Sequence, residues 1–466
     1  MYQQNFIDRK KEIEYLNNRY RTGQPEFIVL YGRRRVGKTE LMLKFMKEKP
    51  GIYFLASREG DRQNIKMFAG LMADILEDEM FEKVVFPDWY SLFIAFFNHN
   101  QFKEITKKDK FVIVIDEFPF LMNSNTAISS IFQKLWELNM KEENIMLILS
   151  GSSVSVMESE VLAYRSPLYG RRTGQWHISP LKFGYLKEFL PYSKEDLASI
   201  WFIVGGIPGY LIRFDREIPL WDNILHNMVE KGSYLLREAD FILNEEFREP
   251  KNYKLIFNAI AQGSTTIGEI CNATGLDKGM VSKYVFVLNR MHIIKEEIPV
   301  TASYKFKRRH YIIEDPYLNF WFRYIYPNRI HIEAGKEKEV VDTIKKEFQT
   351  YSGHMFEYLV NDILHSKCLD AGFNFTKIGR WWHKDKEIDI VALNENSKDI
   401  LFLECKWKCL TKKQAENILR ELKIKAESVD WNTGKRKEHF GITAKKIEGK
   451  EELKKKGYAV FDLDDF

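Results

Sequence analysis

A chain of 466 residues with 45% hydrophobic and 14% aromatic residues is long enough for roughly two to four domains, each able to bury a core. Its 71 Lys and Arg against 66 Asp and Glu leave a net charge of only +5, too mild to argue for nucleic acid by itself, so any basic surface is confined to a local patch. The four cysteines, Cys271, Cys368, Cys405 and Cys409, lack zinc or disulfide spacing and read as free thiols in a reducing cytosol. No apolar run approaches the about 18 residues that cross a bilayer, so the expectation is a cytoplasmic protein with no membrane partner. In chain order, the first half alternates apolar β-rich runs with helical patterns, the signature of a parallel sheet covered by helices. The strand candidates are Phe27 to Gly32, Gly51 to Ala56, Phe111 to Glu117 and Ile145 to Ser153.

Between the first strand candidate and a helical run lies GRRRVGKT, residues Gly32, Arg33, Arg34, Arg35, Val36, Gly37, Lys38 and Thr39, followed by Glu40. It fits the G-x-x-x-x-G-K-[ST] pattern in the strand-then-helix context that the pattern requires. Glycines at both ends let backbone N–H groups converge on phosphate oxygens at a helix N-terminus. Lys38 would meet the β and γ phosphates of ATP and Thr39 a magnesium ion. The run FVIVIDE ends in Asp116, placed to hold that Mg2+ through water, and Glu117, placed to orient or deprotonate the attacking water.

These residues, with VIDEFPFL, LSGSSVSVM, SPLYGRRTGQ and GGIPGYL, resemble the archaeal ATPase family within the STAND and AAA-like P-loop ATPases, over roughly Phe6 to Ile330. The resemblance implies that FIDRKKEIEYL packs beside the adenine, that Ser150 or Ser152 senses the γ-phosphate, and that Arg171 or Arg172 acts as an arginine finger in a neighbouring copy. It thereby implies a homo-oligomer.

Past Pro180 the pattern turns helical. From Asn252 to about Asp315, three helices (Tyr253 to Gln262, Ile267 to Ala273, Met280 to Met291) and two extended runs follow in the order of a winged helix-turn-helix. In its third helix Val281, Val285 and Leu288 recur at helical spacing and supply the buried side. Lys278, Ser282, Lys283 and Arg290 are left to face a DNA groove, or else a protein partner or the lid. The aromatics of IIEDPYLNFWFRYIYPNR are expected to pack this unit against its neighbours.

The stretch EIDIVALNENSKDILFLECKWK, Glu387 to Lys408, reads as a hairpin with its loop at Asn394 to Asp399. That loop pairs Leu393 with Ile400, Val391 with Phe402, Asp389 with Glu404 and Glu387 with Lys406. One face would carry Ile388, Ile390, Leu401, Leu403, Cys405 and Trp407. The other would gather the four ionisable groups at one end. Two carboxylates at about 5 Å repel by roughly 3 kcal/mol at an effective dielectric near 20. A divalent cation would offset that, and Lys406 could offset part of it instead.

The D-x(14)-E-x-K pattern of Asp389, Glu404 and Lys406 resembles the PD-(D/E)xK nucleases, over roughly Ser352 to Phe466. By that resemblance Glu357, Asp389 and Glu404 would hold Mg2+ or Mn2+, and Lys406 would stabilise the hydroxide or phosphorane charge. Glu387 departs from the pattern, since no Pro-Asp pair occurs. Gln414 reads as a backbone or phosphate contact, and Trp381, Trp382 and His383 as a strand start or a surface that stacks on DNA. The expected fold is α/β: a P-loop ATPase core (1–180), a helical lid (181–250), a winged helix-turn-helix with aromatic connector (251–330) and a restriction-endonuclease-like domain (331–466). Two functions fit: an ATPase that cuts DNA with a metal, or a nucleotide-regulated switch or scaffold that binds DNA or protein without cutting.

Overall fold

The computed structural model describes residues 6–247, 249–303, 305–366 and 372–466. Cys368 lies outside the described residues, and Cys271, Cys405 and Cys409 are free thiols. The chain forms two compact units, Met1–Pro180 and Leu181–Phe466.

The first unit is built on a five-stranded parallel sheet: β1 (Glu26–Tyr31), β2 (Gly51–Leu55), β3 (Phe111–Asp116), β4 (Ile145–Gly151) and β5 (Gly174–His177), in the order β2-β3-β4-β1-β5. The strands read as unbroken apolar runs because both faces are covered. Phe27, Val29, Phe111, Ile113, Leu147 and Leu149 enter one core, while Ile28, Leu30, Val112, Val114, Met146 and Ile148 enter the other. The strand β5 was not legible. It is a four-residue edge strand, GQWH, whose residues are all at least partly exposed, so it carries no apolar run.

In the second unit, helices Pro250–Ala261, Ile267–Thr274 and Lys278–Arg290 precede the antiparallel pair β6 (Ile294–Glu297) and β7 (His310–Ile313). The local chemistry sets the breaks: a Thr266/Glu269 capping box starts the second helix, Gly275 ends it at φ 71°, and Asp277 accepts from the Met280 N–H to start the third. Val281, Val285 and Leu288 are buried on that third helix, each burial contributing about 1.5–3 kcal/mol. Tyr317, Phe320, Trp321 and Phe322 are fully buried, so the aromatic block is core.

A second sheet comprises β8 (Lys377–His383), β9 (Lys386–Leu393), β10 (Asp399–Leu410), β11 (Lys437–Ile447) and β12 (Ala459–Asp462), in the order β12-β11-β10-β9-β8. The β8-β9-β10 part is antiparallel, and β10-β11-β12 is parallel. The 29-residue helix Glu337–His365 lies against one face, and helix Lys412–Ala426 against the other.

The β9–β10 register is the expected one from Ile400 opposite Leu393 to Leu403 opposite Ile390, where the ladder ends. Beyond it the expected face assignment fails. Against β8, Gly379 pairs with Val391 but Trp381 pairs with Ile388, so Arg380 stands opposite two residues, Asp389 and Ile390. Such a bulge reverses the in–out alternation of the strand. Ile388 therefore packs with Val391, Phe402 and Leu422, and not with Ile390, Leu401, Leu403, Cys405 and Trp407.

Candidate nucleotide and metal sites

The loop between β1 and helix Lys38–Met46 is shaped by its glycines. A side chain at Gly32 would place a Cβ 2.3 Å from the Ile178 carbonyl oxygen, and Gly37 sits at φ 93°, ψ 24°. Lys38 is buried and donates to the carbonyls of Gly32 at 2.9 Å and Arg33 at 3.3 Å, which folds its ammonium back over the loop. Thr39 and Glu40 open the helix on its exposed side. Because β4 lies between β1 and β3, its end falls between the loop and the acidic pair.

Asp116 is 1% exposed, and its Oδ2 accepts from the hydroxyls of Thr39 at 2.8 Å and Tyr53 at 2.7 Å. Burial and the bond to Asp116 push the Tyr53 phenol up, so it stays a donor. Glu117 turns out of β3 in a left-handed conformation, φ 53°, and its Oε2 accepts from the Ser152 hydroxyl at 2.7 Å and N–H at 3.3 Å. Of the two serines, Ser152 thus meets the acidic pair. Ser150 stays inside β4, fully buried, with no hydrogen-bond partner for its hydroxyl.

Two contacts around the loop and Asp116 escaped the sequence reading. One is Tyr53, hidden in an ordinary strand. The other is Arg9, 5% exposed, which donates to the carbonyls of Val36 at 2.8 Å and Ser179 at 2.7 Å and pairs with Glu12 at 3.1 Å. Here the N-terminal FIDR segment clamps the phosphate loop. Arg171 donates to Glu137 at 3.0 Å and to the Tyr169 carbonyl at 3.0 Å, and Arg172 donates to the Leu162 carbonyl at 3.4 Å and lies over the Tyr169 ring. Both arginines are thus engaged within their own unit.

In the second unit the carboxylates that converge are Glu357, Glu387 and Asp389, with oxygens all within 4.8 Å of one another. The expected trio had Glu404 in place of Glu387. The bulge accounts for the exchange: the β9–β10 ladder ends before Glu387 would oppose Lys406, and Glu387 instead accepts from the Arg380 guanidinium at 2.5 Å. Glu404, 2% exposed, is held by Lys406 at 2.7 Å and Lys425 at 2.8 Å. Lys406 also reaches Asp389 Oδ2 at 3.2 Å, and that oxygen accepts from the Cys405 N–H at 2.8 Å.

The electrostatics are those of crowded buried acids. Burial, then Asp389, raises the Glu357 carboxyl to about 8, and the same two causes raise Glu404. Burial disfavours the charge on Lys406, but Asp389 and Glu404 outweigh it and push its pKa up. Whether a divalent cation fits can be judged from the donors. All three are hard oxygens, and Glu357 Oε2 is buried with no hydrogen bond, its cationic neighbour being the Arg380 guanidinium at 3.5 Å.

Of the other expected contacts, Lys278, Ser282, Lys283 and Arg290 share an exposed face of the third helix, beside Phe286 at 61% exposed. Gln414 makes a backbone contact, accepting from the Thr411 N–H at 3.0 Å in a capping box. Trp381 is buried, and Trp382 stacks on His310 with ring centroids 4.6 Å apart.

Comparison with known proteins places the chain in a family. Residues 6–214 match an ATPase domain predominantly from Archaea, and residues 321–418 match archaeal and bacterial proteins of unknown function. A Walker-type ATPase of Pyrococcus abyssi shares the fold over 68% of this chain and 96% of its own, at TM-score 0.53 and 21% identity. An uncharacterized protein of Methanocaldococcus jannaschii is 39% identical over 464 residues, 99% of this chain and all of that one. An uncharacterized ATP-binding protein of the same organism is 48% identical over 44 residues, 9% of this chain and 75% of its own. Among the described residues no helix is long and apolar enough to cross a membrane. The chain belongs to the family of the full-length Methanocaldococcus jannaschii relative, and it joins a P-loop ATPase domain of the predominantly archaeal kind to the C-terminal domain of unknown function.

Proposed function

We propose that the chain hydrolyses ATP in its first unit and cuts DNA in its C-terminal domain, with residues 251–330 acting as a winged helix-turn-helix and 331–466 as a nuclease-like domain. For hydrolysis, Lys38 binds the β and γ phosphates, Thr39 and Asp116 would hold Mg2+, and Glu117, aimed by Ser152, orients the attacking water. Arg171 or Arg172 would serve a neighbouring copy only after leaving its present partners.

The observation that carries the nuclease reading is the convergence of Glu357, Glu387 and Asp389 beside Lys406. These carboxylates would hold Mg2+ or Mn2+, which when bound supplies Lewis-acid polarisation of the phosphodiester. Lys406, fixed by Asp389 and Glu404, stabilises negative charge that develops on the phosphoryl oxygens. Lys278, Ser282 and Lys283 on the exposed helix face would meet DNA phosphates.

A second reading, a nucleotide-regulated switch or scaffold that binds without cutting, draws support from the cations already paired with the acid cluster. Plasmid, linear and branched DNA incubated with Mn2+, with and without ATP, separates the two. Cleavage that survives Lys38→Ala and disappears in Asp389→Asn supports the nuclease. ATP hydrolysis without cleavage of any of these substrates overturns it in favour of the switch.

A further inference from the structure

The acid cluster carries a cation that neither the sequence pattern nor the ATPase chemistry uses. Arg380 stands opposite the β9 bulge, with Nη2 2.5 Å from Glu387 Oε1 and 3.5 Å from Glu357 Oε2. Its side chain is 21% exposed, and its buried Nε has no hydrogen-bond partner. Around the site, four carboxylates (Glu357, Glu387, Asp389, Glu404) thus meet three cations (Arg380, Lys406, Lys425). A divalent ion draws its affinity from uncompensated negative charge, and here most of that charge is already matched.

The three cations differ in how they are held. Lys406 bridges Asp389 and Glu404, and Lys425 reaches Glu404. Arg380 alone sits on two of the three carboxylates that would take a metal, and its Nε remains unused. A guanidinium binds a phosphate diester with a planar fork at least as well as it binds a carboxylate. The backbone under it is fixed: the Arg380 carbonyl accepts from the Val300 N–H at 3.0 Å, and Trp382 stacks on His310. The same contacts set β8 beside the β6–β7 connection, which carries Lys305, Lys307 and Arg308 on exposed positions.

We propose that Arg380 is the residue that takes the phosphodiester of the nucleic acid, and that its passage from Glu357 and Glu387 to that phosphate opens those carboxylates to a divalent cation. Metal and DNA then enter the site together, each tightening the other. The inference rests on the nuclease reading, because it assumes that Glu357, Glu387 and Asp389 are the ligands.

The test measures Mn2+ binding to the full chain by electron paramagnetic resonance of the free ion, without nucleotide, with and without a phosphorothioate DNA duplex. In the wild type the duplex is expected to tighten Mn2+ binding about tenfold or more. In Arg380→Gln, Mn2+ binds about tenfold tighter than in the wild type before any DNA is added, the duplex adds little, and the duplex itself binds more weakly. Arg380→Lys, which keeps the charge but not the fork, retains weak binding of Mn2+ alone and a reduced response to DNA; this variant also guards against misfolding of the Gln form. Equal Mn2+ affinities in the wild type and Arg380→Gln, with the same response to DNA, overturn the role of Arg380 and leave the nuclease reading standing. Binding no stronger than in Asp389→Asn, in every protein and with or without DNA, removes the metal site and both readings with it.

Discussion

Replacing Arg9 by Ala tests whether the phosphate loop is held in shape from outside. The guanidinium is 5% exposed and donates to two carbonyls, Val36 inside the loop at 2.8 Å and Ser179 after β5 at 2.7 Å. A hydrogen bond from a charged donor contributes about 1.5–3 kcal/mol, so the pair is worth about 3–6 kcal/mol. If half of that is felt in residues 32–37, affinity for ATP falls roughly ten- to a hundredfold, with the rest lost from the stability of the first unit. Arg9→Lys should recover part of each loss, because the ammonium keeps the charge but has a single nitrogen where Nη2 serves the two carbonyls and Nη1 pairs with Glu12. Binding of a fluorescent ATP analogue and urea unfolding followed by circular dichroism read the two shares. An Arg9→Ala protein that binds the analogue as the wild type does, and unfolds within about 1 kcal/mol of it, would refute the clamp.

Three further outcomes follow. Glu357 is raised to about 8 by burial and by Asp389, so the folded apo protein keeps a proton that the unfolded chain releases near 4.5. Wild-type stability should therefore fall as pH rises from about 4.5 to 8. Glu357→Gln, which has no proton to lose, should gain on the wild type across that window by an amount on the order of a few kcal/mol, and parallel urea midpoints at pH 5 and 8.5 would contradict this. Ser152→Ala removes the bond that aims Glu117, so kcat for ATP hydrolysis should drop about tenfold with ATP affinity nearly unchanged; an equal loss in both would assign Ser152 to binding. Gly206→Ala would drive a Cβ to 1.8 Å from the Leu181 carbonyl oxygen, against backbone that also donates the Leu181 N–H to Gly206 at 2.7 Å, and should cost about 1–3 kcal/mol by urea unfolding.

The ATPase domain was legible because its motifs are local in sequence. The eight residues Gly32 to Thr39 and a strand-end Asp-Glu pair carry them, and each motif lies at a boundary that its own residues create, such as Gly37 at the helix start. What was missed is long-range. Arg9 reaches Ser179 across 170 positions, and Tyr53 reaches Asp116 across 63. Neither residue carries a spacing that marks its partner, and Arg9 looks like any basic residue opening an amphipathic helix.

The C-terminal site shows where strand arithmetic stops. From Leu393 and Ile400 inward, side chains alternate with period two, and counting from the loop places every residue down to Ile390 and Leu403. One extra residue then enters β9 opposite Arg380. A bulge leaves no mark in a pattern of alternating Ile and acid, since EIDIVAL reads equally well straight or bulged. Yet that one residue decides which carboxylates converge: it turns Ile388 into the opposite core, brings Glu387 to Glu357 and Arg380, and leaves Glu404 with Lys406 and Lys425. The sequence pattern located the chemistry on the right pair of strands because residue types and the hairpin loop suffice for that. It did not foresee that Glu387, and not Glu404, joins Glu357 and Asp389, nor that Arg380 meets them, because both depend on a slip in register that only the third strand, β8, reveals.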